Sequence, residues 1–191
     1  MTNAKTNTTP KIQTKNREIK TEIPVPESIP IIEKIYKYET KAMHGQYPII
    51  WDRALGHNIY DKWGNKWIDF TSTIFVSNAG HGNPHIIQEL KKQLDKPLLH
   101  TYSYANESRA DYLEYLIKNT PPQFEKAFLL SAGTEAVEAA FKLMRLYGTT
   151  ETPKKRGVIT IEGNWHGRTL GAQMLGSNKA QKEWIGYEDP N

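Results

Sequence analysis

Residues 129–148 read LLSAGTEAVEAAFKLMRLYG, and this stretch decides the fold. An apolar strand over 127–130 leads into a turn that contains Gly133 and Thr134, and a periodic helix follows that we expect Gly148 to close. The first N–H groups of a helix lack intrahelical partners and lie at the positive end of its dipole, so such a turn can hold a phosphate. Gly133 permits close approach, and the Thr134 hydroxyl can add a donor. The stretch predicts an anion site, although helix capping alone can explain such a turn.

A second stretch points to the same place. Residues 157–161 read GVITI, a β-branched run typical of a buried parallel strand, and the loop 162–169 follows. Strand, helix and strand form a right-handed crossover, and ligands of open α/β sheets bind at the carboxyl ends of the strands. In this loop Trp165 can stack on an aromatic ring, Arg168 can hold a carboxylate in a two-point fork, and His166 can donate a proton or stack. Each has an ordinary structural explanation when it is taken alone.

The chain before these stretches changes character twice. Residues 1–26 are rich in Thr, Asn and Lys, so we expect a disordered basic arm. Residues 27–80 predict a short amphipathic helix and then an antiparallel meander, whose strands are expected at 49–51, 58–60 and 66–70.

A loop of small residues over 71–83 comes next, and such loops often line sites. Two helices follow it. Asn83 caps the first with Pro84 at its first position, and Asn106 or Ser108 begins the second.

Composition limits the function classes. The formal charge is +4, and the arm up to Val25 carries +3 of it, from five basic and two acidic residues, so no basic face for nucleic acid is required. The tryptophans of the meander could stack on bases, but a small sheet more often uses them for packing between strands. There is no cysteine, which excludes a disulfide framework and thiolate metal ligands. Neither a membrane span nor a secretion signal is evident, so we expect a cytoplasmic protein without metal.

Four runs carry a family resemblance. In order they are WIDF at 67–70, NAGHGNP at 78–84, SAGTEA at 131–136 and GNWHGRT at 163–169. In order and spacing they resemble class III pyridoxal-phosphate-dependent aminotransferases of the 4-aminobutyrate, ornithine and acetylornithine types. The resemblance implies an α/β fold: part of the large domain of a fold-type I transferase, with a mixed, mostly parallel sheet and flanking helices over 81–191, preceded by a small antiparallel β segment.

The resemblance also implies roles for matched residues. The cofactor, pyridoxal 5'-phosphate, would be held by Ser131, Gly133, Thr134, Trp165 and His166. Trp165 stands where the family usually carries Phe or Tyr stacked on the pyridine ring.

The same resemblance gives substrate contacts. Arg168 would pair with the substrate carboxylate, and Ile74 would line the substrate pocket, where Ile slightly favours an aminobutyrate-type enzyme. The substrates would be an amino acid and a 2-oxo acid, and the full-length protein is expected to form a homodimer.

The family's Schiff-base lysine is expected beyond position 191, so we assign no catalytic residue within the chain and expect an N-terminal fragment that is inactive alone. Three functions remain open. The first is amino-group transfer, the second is another reaction of the same family, namely an aminomutase, decarboxylase or phospho-lyase, and the third is a noncatalytic phosphate-binding or nucleotide-binding α/β module.

Overall fold

The computed structural model describes residues 10–187. The chain divides into two compact units, Met1–Thr101 and Tyr102–Asn191. The sequence suggested a boundary at residue 80, whereas here the helix that begins at Pro84 falls within the first unit. The predicted α/β class is confirmed: within the described residues the strands lie in the first unit, and the longest helix lies in the second.

The first unit is built on a five-stranded antiparallel sheet. Its strands, which lie in the order β1-β2-β5-β4-β3, are β1 (Ile12–Gln13), β2 (Glu18–Ile19), β3 (Arg53–Leu55), β4 (Asn58–Tyr60) and β5 (Lys66–Ile68). The antiparallel topology of the predicted meander is confirmed, with β4 and β5 at their predicted positions. Ile59 of β4, the middle strand of the meander, pairs with Ala54 on one side and Trp67 on the other, and it is 1% exposed. The aromatic residue therefore serves cross-strand packing.

The first strand of the meander does not form where we predicted it. Strand β3 begins at Arg53 instead of at residue 49, because the two-residue turn between β3 and β4 places Arg53 opposite Tyr60. Residues 49–51 would need partners beyond Tyr60, where the chain has already entered its next turn. Hairpin register follows from turn length, which apolar patterning alone does not reveal.

The prediction of a disordered arm over residues 1–26 is wrong for the part that the structure describes. Residues 1–9 lie outside the described residues. From Ile12 onward, β1 and β2 form a hairpin, and Glu18 of β2 pairs with Lys66 of β5. Ile19 and Val25 are buried. The prediction rested on the polar composition of the whole segment, which gave too little weight to the few apolar residues that are buried in the first unit.

Asn65 fastens this N-terminal segment to the turn between β4 and β5. Its side chain is fully buried, at 0% exposure. Its Oδ1 accepts from the backbone N–H groups of Lys20 (2.7 Å) and Thr21 (3.2 Å), and its Nδ2 donates to Thr21 Oγ1 and to Asp61 Oδ2, both at 2.7 Å. Gly64 supplies the positive φ that the turn needs, at 85°. One amide therefore satisfies donors and acceptors from two distant segments.

Asp69, just after β5, organises the loop that follows. Its carboxylate accepts from Thr71 N and Oγ1 (both 2.8 Å), from Ser72 N (3.0 Å) and from His81 Nε2 (2.7 Å). The chain then makes a left-handed turn over Ser72–Phe75, where all four residues have positive φ between 47° and 65°. Non-glycine residues in this region are strained, so surrounding contacts must hold the turn.

Three helices form where the sequence predicted helices, and the second and third begin at their predicted caps. They are α1 (Ile29–Tyr38), α2 (Pro84–Leu94) and α3 (Glu107–Lys118). The Asn83 side chain accepts from the first N–H groups of α2, and Asn106 accepts from Arg109 N at 2.9 Å at the start of α3. Asparagine caps of this kind satisfy donors that a helix leaves free. Helix α3 belongs to the second unit.

The second unit also contains α4 (Gly133–Glu151) and α5 (Leu170–Met174). Helix α4 does not end at Gly148, as we predicted, but continues for one more turn. Gly148 is buried because the Lys155 carbonyl approaches it; a Cβ at position 148 would lie 2.2 Å from that oxygen. The glycine permits a close backbone approach and does not terminate the helix.

The two predicted parallel strands are not formed. Within residues 10–187, neither 127–130 nor 157–161 pairs with another strand. Their apolar side chains are exposed, with Phe128 at 72% and Ile159 at 99%. The backbone N–H and C=O groups of a strand must bond to an adjacent strand. No adjacent strand is present for these two segments within the described residues, so they stay extended but unpaired. Among the described helices, none has the length and apolar character needed to cross a bilayer.

We expect Asn65→Ala to lower the free energy of unfolding by roughly 2–4 kcal/mol, because buried partners in two segments lose their hydrogen bonds together. Urea denaturation of the protein measures the change. Asn178→Ala is the matched control, since Asn178 is exposed, and its effect should stay within about 0.5 kcal/mol. A loss for Asn65→Ala as small as the control's would show that the amide network is dispensable.

Asp69 predicts a pH dependence of stability. Burial raises its pKa, but the hydrogen bonds from His81, Thr71 and Ser72 outweigh burial and lower the pKa from 3.8 to about 2. A depressed pKa stabilises the folded state above pH 3.8, and this stabilisation is lost as the pH falls toward 2. The unfolding free energy should therefore fall more steeply over this range in the unmodified protein than in Asp69→Asn. Asp111→Asn, at an exposed position, should keep the original slope; equal slopes for all three proteins would contradict the assignment.

Candidate functional site

The N-terminus of α4 is open to an anion. Its cap residue, Ala132, offers no side-chain acceptor, so the first N–H groups of the helix are not capped by it. A Cβ at Gly133 would meet no atom within 4 Å, so the space beside this glycine at the start of the helix is open. Gly133 and Thr134 supply the first donors, as the sequence suggested.

The backbone N–H of Ser131 is engaged differently. It donates to Glu135 Oε2 at 3.0 Å, so a carboxylate one turn along α4 reaches back over the start of the helix. The bond resembles a capping box, but it engages the residue before the cap Ala132 instead of Ala132 itself. Ser131 therefore contributes a backbone donor only when Glu135 releases it.

The loop 162–169 packs directly on this helix end. Thr134 Oγ1 lies 2.7 Å from Thr169 Oγ1 and 3.3 Å from Thr169 N. Gly167 sits against Thr134, and a Cβ at position 167 would come within 2.2 Å of Thr134 Oγ1. The structure thus brings together the two stretches that the sequence expected to meet.

Trp165 and Arg168 present their side chains from this loop. Trp165 is 51% exposed, and the Arg168 guanidinium carbon lies 5.7 Å from the centre of a Trp165 ring. This distance suits a cation–π contact, which orients both groups. An exposed aromatic face and a cation are therefore held beside each other. His166 lies between them in sequence and is half-buried.

The base of the loop is fixed by polar contacts. Asn164 Nδ2 donates to Leu175 O at 3.1 Å, and Asn164 Oδ1 accepts from Ser177 N at 3.0 Å. Ser177 Oγ in turn accepts from Gly163 N at 2.8 Å. These bonds tie the first end of the loop to residues 175–177, and the contact of Thr169 with Thr134 ties the other end. The two anchors limit the positions that Trp165 can occupy.

Glu138 and Thr169, to which the sequence analysis gave no role, complete this cluster. The Glu138 carboxylate accepts from Ala172 N at 3.0 Å and from the Thr169 hydroxyl and Gly171 N. Burial raises the pKa of Glu138, and the hydrogen bonds from Thr169, Ala172 and Gly171, together with the charge of Lys142, lower it by more. The signal was available in the sequence, because Glu138 follows Thr134 by four residues and such residues share a helix face.

Ile74 belongs to the first unit, whereas the other assigned residues belong to the second. It lies on the left-handed turn that Asp69 holds, and it is 66% exposed. A cavity of about 380 Å³ beside this turn is lined by residues that include Asp69, Ser77 and His81.

That cavity does not contain a nucleophilic triad. Ser77 Oγ is 3.4 Å from His81 Nε2, the same ring nitrogen that lies 2.7 Å from Asp69 Oδ2. A catalytic histidine uses one nitrogen for the nucleophile and the other for the carboxylate. The Asp69–His81 pair is therefore structural and holds the loop.

Comparison with known proteins gives the family. The family described as aminotransferase class-III matches residues 40–188. Acetylornithine aminotransferase of Clostridium acetobutylicum is 37% identical over 144 residues, which cover 74% of this chain and 36% of that protein. The mitochondrial acetylornithine aminotransferase of Candida glabrata is 36% identical and covers 81% of this chain and 37% of that protein.

Solved structures share the fold. Ornithine aminotransferase from Toxoplasma gondii superposes with a TM-score of 0.74 at 22% identity, over 85% of this chain and 38% of that one. The taurine:2-oxoglutarate aminotransferase of Bifidobacterium kashiwanohense, solved in complex with PLP and glutamate, gives 0.69 at 21% identity, over 91% and 37%. The chain thus spans between 36% and 38% of the length of these four proteins. With a family match over most of its residues, the chain belongs to the class III aminotransferases.

Proposed function

We propose that the protein carrying this chain transfers an amino group from an amino acid to a 2-oxo acid with pyridoxal 5'-phosphate as cofactor. The observation that carries the proposal is the open N-terminus of α4 with the Trp165–Arg168 loop seated on it. A phosphate, a flat aromatic ring and a carboxylate each find a matching group there. The relatives named as aminotransferases support the same reaction.

The residues present fit the phosphate of this cofactor. The space at Gly133 leaves room for phosphate oxygens to reach the backbone N–H groups of Gly133 and Thr134. The positive end of the helix dipole adds favourable electrostatics. Trp165 offers a broad exposed face for the pyridine ring.

Each residue then has a defined task. The start of α4 binds the phosphate, Trp165 limits the tilt of the ring and shields it from water, and Arg168 orients the substrate by a fork of hydrogen bonds to its carboxylate. When bound, the cofactor supplies an electron sink for the bonds at the substrate's α-carbon. Ile74 would form an apolar part of the substrate pocket, and His166 would lie beside the cofactor.

Donor identity and assembly are also part of the proposal. The relatives favour an ornithine-type or acetylornithine-type donor, whereas Ile74 slightly favours an aminobutyrate-type donor. Kinetic assays with these three donors and 2-oxoglutarate separate the choices. We infer a homodimer from the family resemblance, and sedimentation equilibrium tests it.

Gly133→Val should weaken binding of pyridoxal phosphate by about tenfold or more, because the added methyl groups occupy the space in front of the helix N–H groups. No atom lies within 4 Å of a Cβ at this position, so the fold should tolerate the change. Absorbance titration of the cofactor-free, full-length protein measures the dissociation constant. Pyridoxal, which lacks the phosphate, is the control ligand, and its weaker binding should change by less than about twofold. If Gly133→Val binds both ligands as well as the unmodified protein does, the phosphate lies elsewhere.

Arg168→Ala should raise KM for carboxylate substrates by about 10- to 100-fold, the range expected for loss of a hydrogen-bonded charge pair. Steady-state kinetics of the full-length protein with an amino acid donor measure it. Arg156→Ala removes the same charge from the segment after α4 and should leave KM within about twofold. An unchanged KM for every acidic donor and acceptor would remove Arg168 from the substrate site.

A further inference from the structure

We propose that Thr169 and Glu138 are positioning residues of the cofactor site, and that they act through the Thr134 hydroxyl. The three side chains form a hydrogen-bonded relay that fastens the Trp165–Arg168 loop to the start of α4. In this arrangement the Thr134 hydroxyl serves the loop, and the phosphate is held by backbone N–H groups. The inference rests on the function proposed above.

The direction of the relay follows from the proton count. An ionised carboxylate only accepts hydrogen bonds, so the single hydroxyl proton of Thr169 goes to Glu138. The contact of 2.7 Å between the two threonine hydroxyls allows either oxygen to donate, and in the proposed relay it uses the proton of Thr134. Thr134 Oγ1 also accepts from Thr169 N at 3.3 Å. In the proposed relay the Thr134 hydroxyl proton is committed to Thr169, so this proposal has the phosphate bound by backbone N–H groups instead of by the hydroxyl.

Glu138 makes the relay possible by replacing a cap. Thr169 occupies the cap position of α5, but its side chain makes no capping hydrogen bond there. Glu138 instead accepts from Gly171 N and Ala172 N, the donors that a cap residue normally satisfies. Its negative charge also lies at the positive end of α5. The Thr169 hydroxyl is thereby left for the carboxylate of α4.

Close packing at both ends keeps the relay short. A Cβ at Gly167 would overlap Thr134, and a Cβ at Gly171 would come within 2.3 Å of Glu138 Oε2. Glycine at both positions lets the loop and α5 sit directly against α4. Trp165 and Arg168 are four and one residues before Thr169, so this anchor sets where their side chains stand relative to the helix N–H groups.

The relay predicts a specific pattern of cofactor affinities in the full-length, cofactor-free protein. Thr169→Val, which keeps the shape and removes the hydroxyl, should weaken binding of pyridoxal phosphate by about tenfold, whereas Thr169→Ser should bind within about twofold of the unmodified protein. Thr134→Val should weaken binding to a similar degree. The double variant Thr134→Val/Thr169→Val should be no weaker than the weaker single variant, because both changes remove one linkage.

Two results overturn the proposal. One is full affinity in Thr169→Val. The other is additivity in the double variant, which would mean that the Thr134 hydroxyl contacts the phosphate directly. If Thr169→Val does not fold, Thr134→Val and Glu138→Gln test the same linkage from its other members, and full affinity in both would equally overturn it.

Hydrogen exchange of the cofactor-free protein gives a second readout. The amides of Thr169 and Ala172 should exchange at least about tenfold faster in Thr169→Val than in Thr169→Ser, since the relay holds both. Equal exchange rates would also overturn the relay. If the unmodified protein fails to bind pyridoxal phosphate, the proposed function is wrong. In that case the exchange rates alone decide whether the relay exists.

Discussion

The carboxylate of Glu138 is the interaction on which the second unit depends. It projects from α4, caps α5 and receives the Thr169 hydroxyl, so three segments meet at one charged group. A half-buried carboxylate is costly unless hydrogen bonds and positive charge compensate it, and here two N–H groups, a hydroxyl and Lys142 do so. The contact between α4 and α5 is therefore polar and directional. Such a contact fixes an angle and a register that apolar packing alone would leave loose.

The first unit uses the same device with different residues. Asp69 receives four hydrogen bonds, from His81, Thr71 and Ser72, and thereby holds the start of a left-handed turn that non-glycine residues rarely adopt. The turn in turn presents Ile74. In each unit, a residue that we assign to the site lies on a loop held by hydrogen bonds to a carboxylate: Ile74 with Asp69, and Trp165 with Glu138.

Local sequence signals predicted much of this architecture. Asn83 and Asn106 predicted helix starts, and alternating apolar residues predicted the meander, because caps and strand patterns depend on a few neighbouring residues. The signals that failed were non-local. Ile19 is buried only because the sheet covers it. The glycine at position 148 is explained by the approach of the Lys155 carbonyl, and residues 157–161 do not form a strand because no neighbouring strand pairs with them within the described residues. The meeting of Thr134 with Thr169 could be anticipated only as a shared sheet edge, because their contact depends on how the loop packs on α4.

The two carboxylates also limit what these residues can do chemically. The pKa of Asp69 lies at about 2, and that of Glu138 is lowered as well. A general acid or base works best with a pKa near the working pH, so neither group is suited to move a proton in a reaction near neutral pH. Perturbed carboxylates often mark catalytic sites, but a downward shift produced by several donors marks a permanent acceptor. Asp69 and Glu138 are therefore permanent hydrogen-bond acceptors, each of which holds a loop within its own unit.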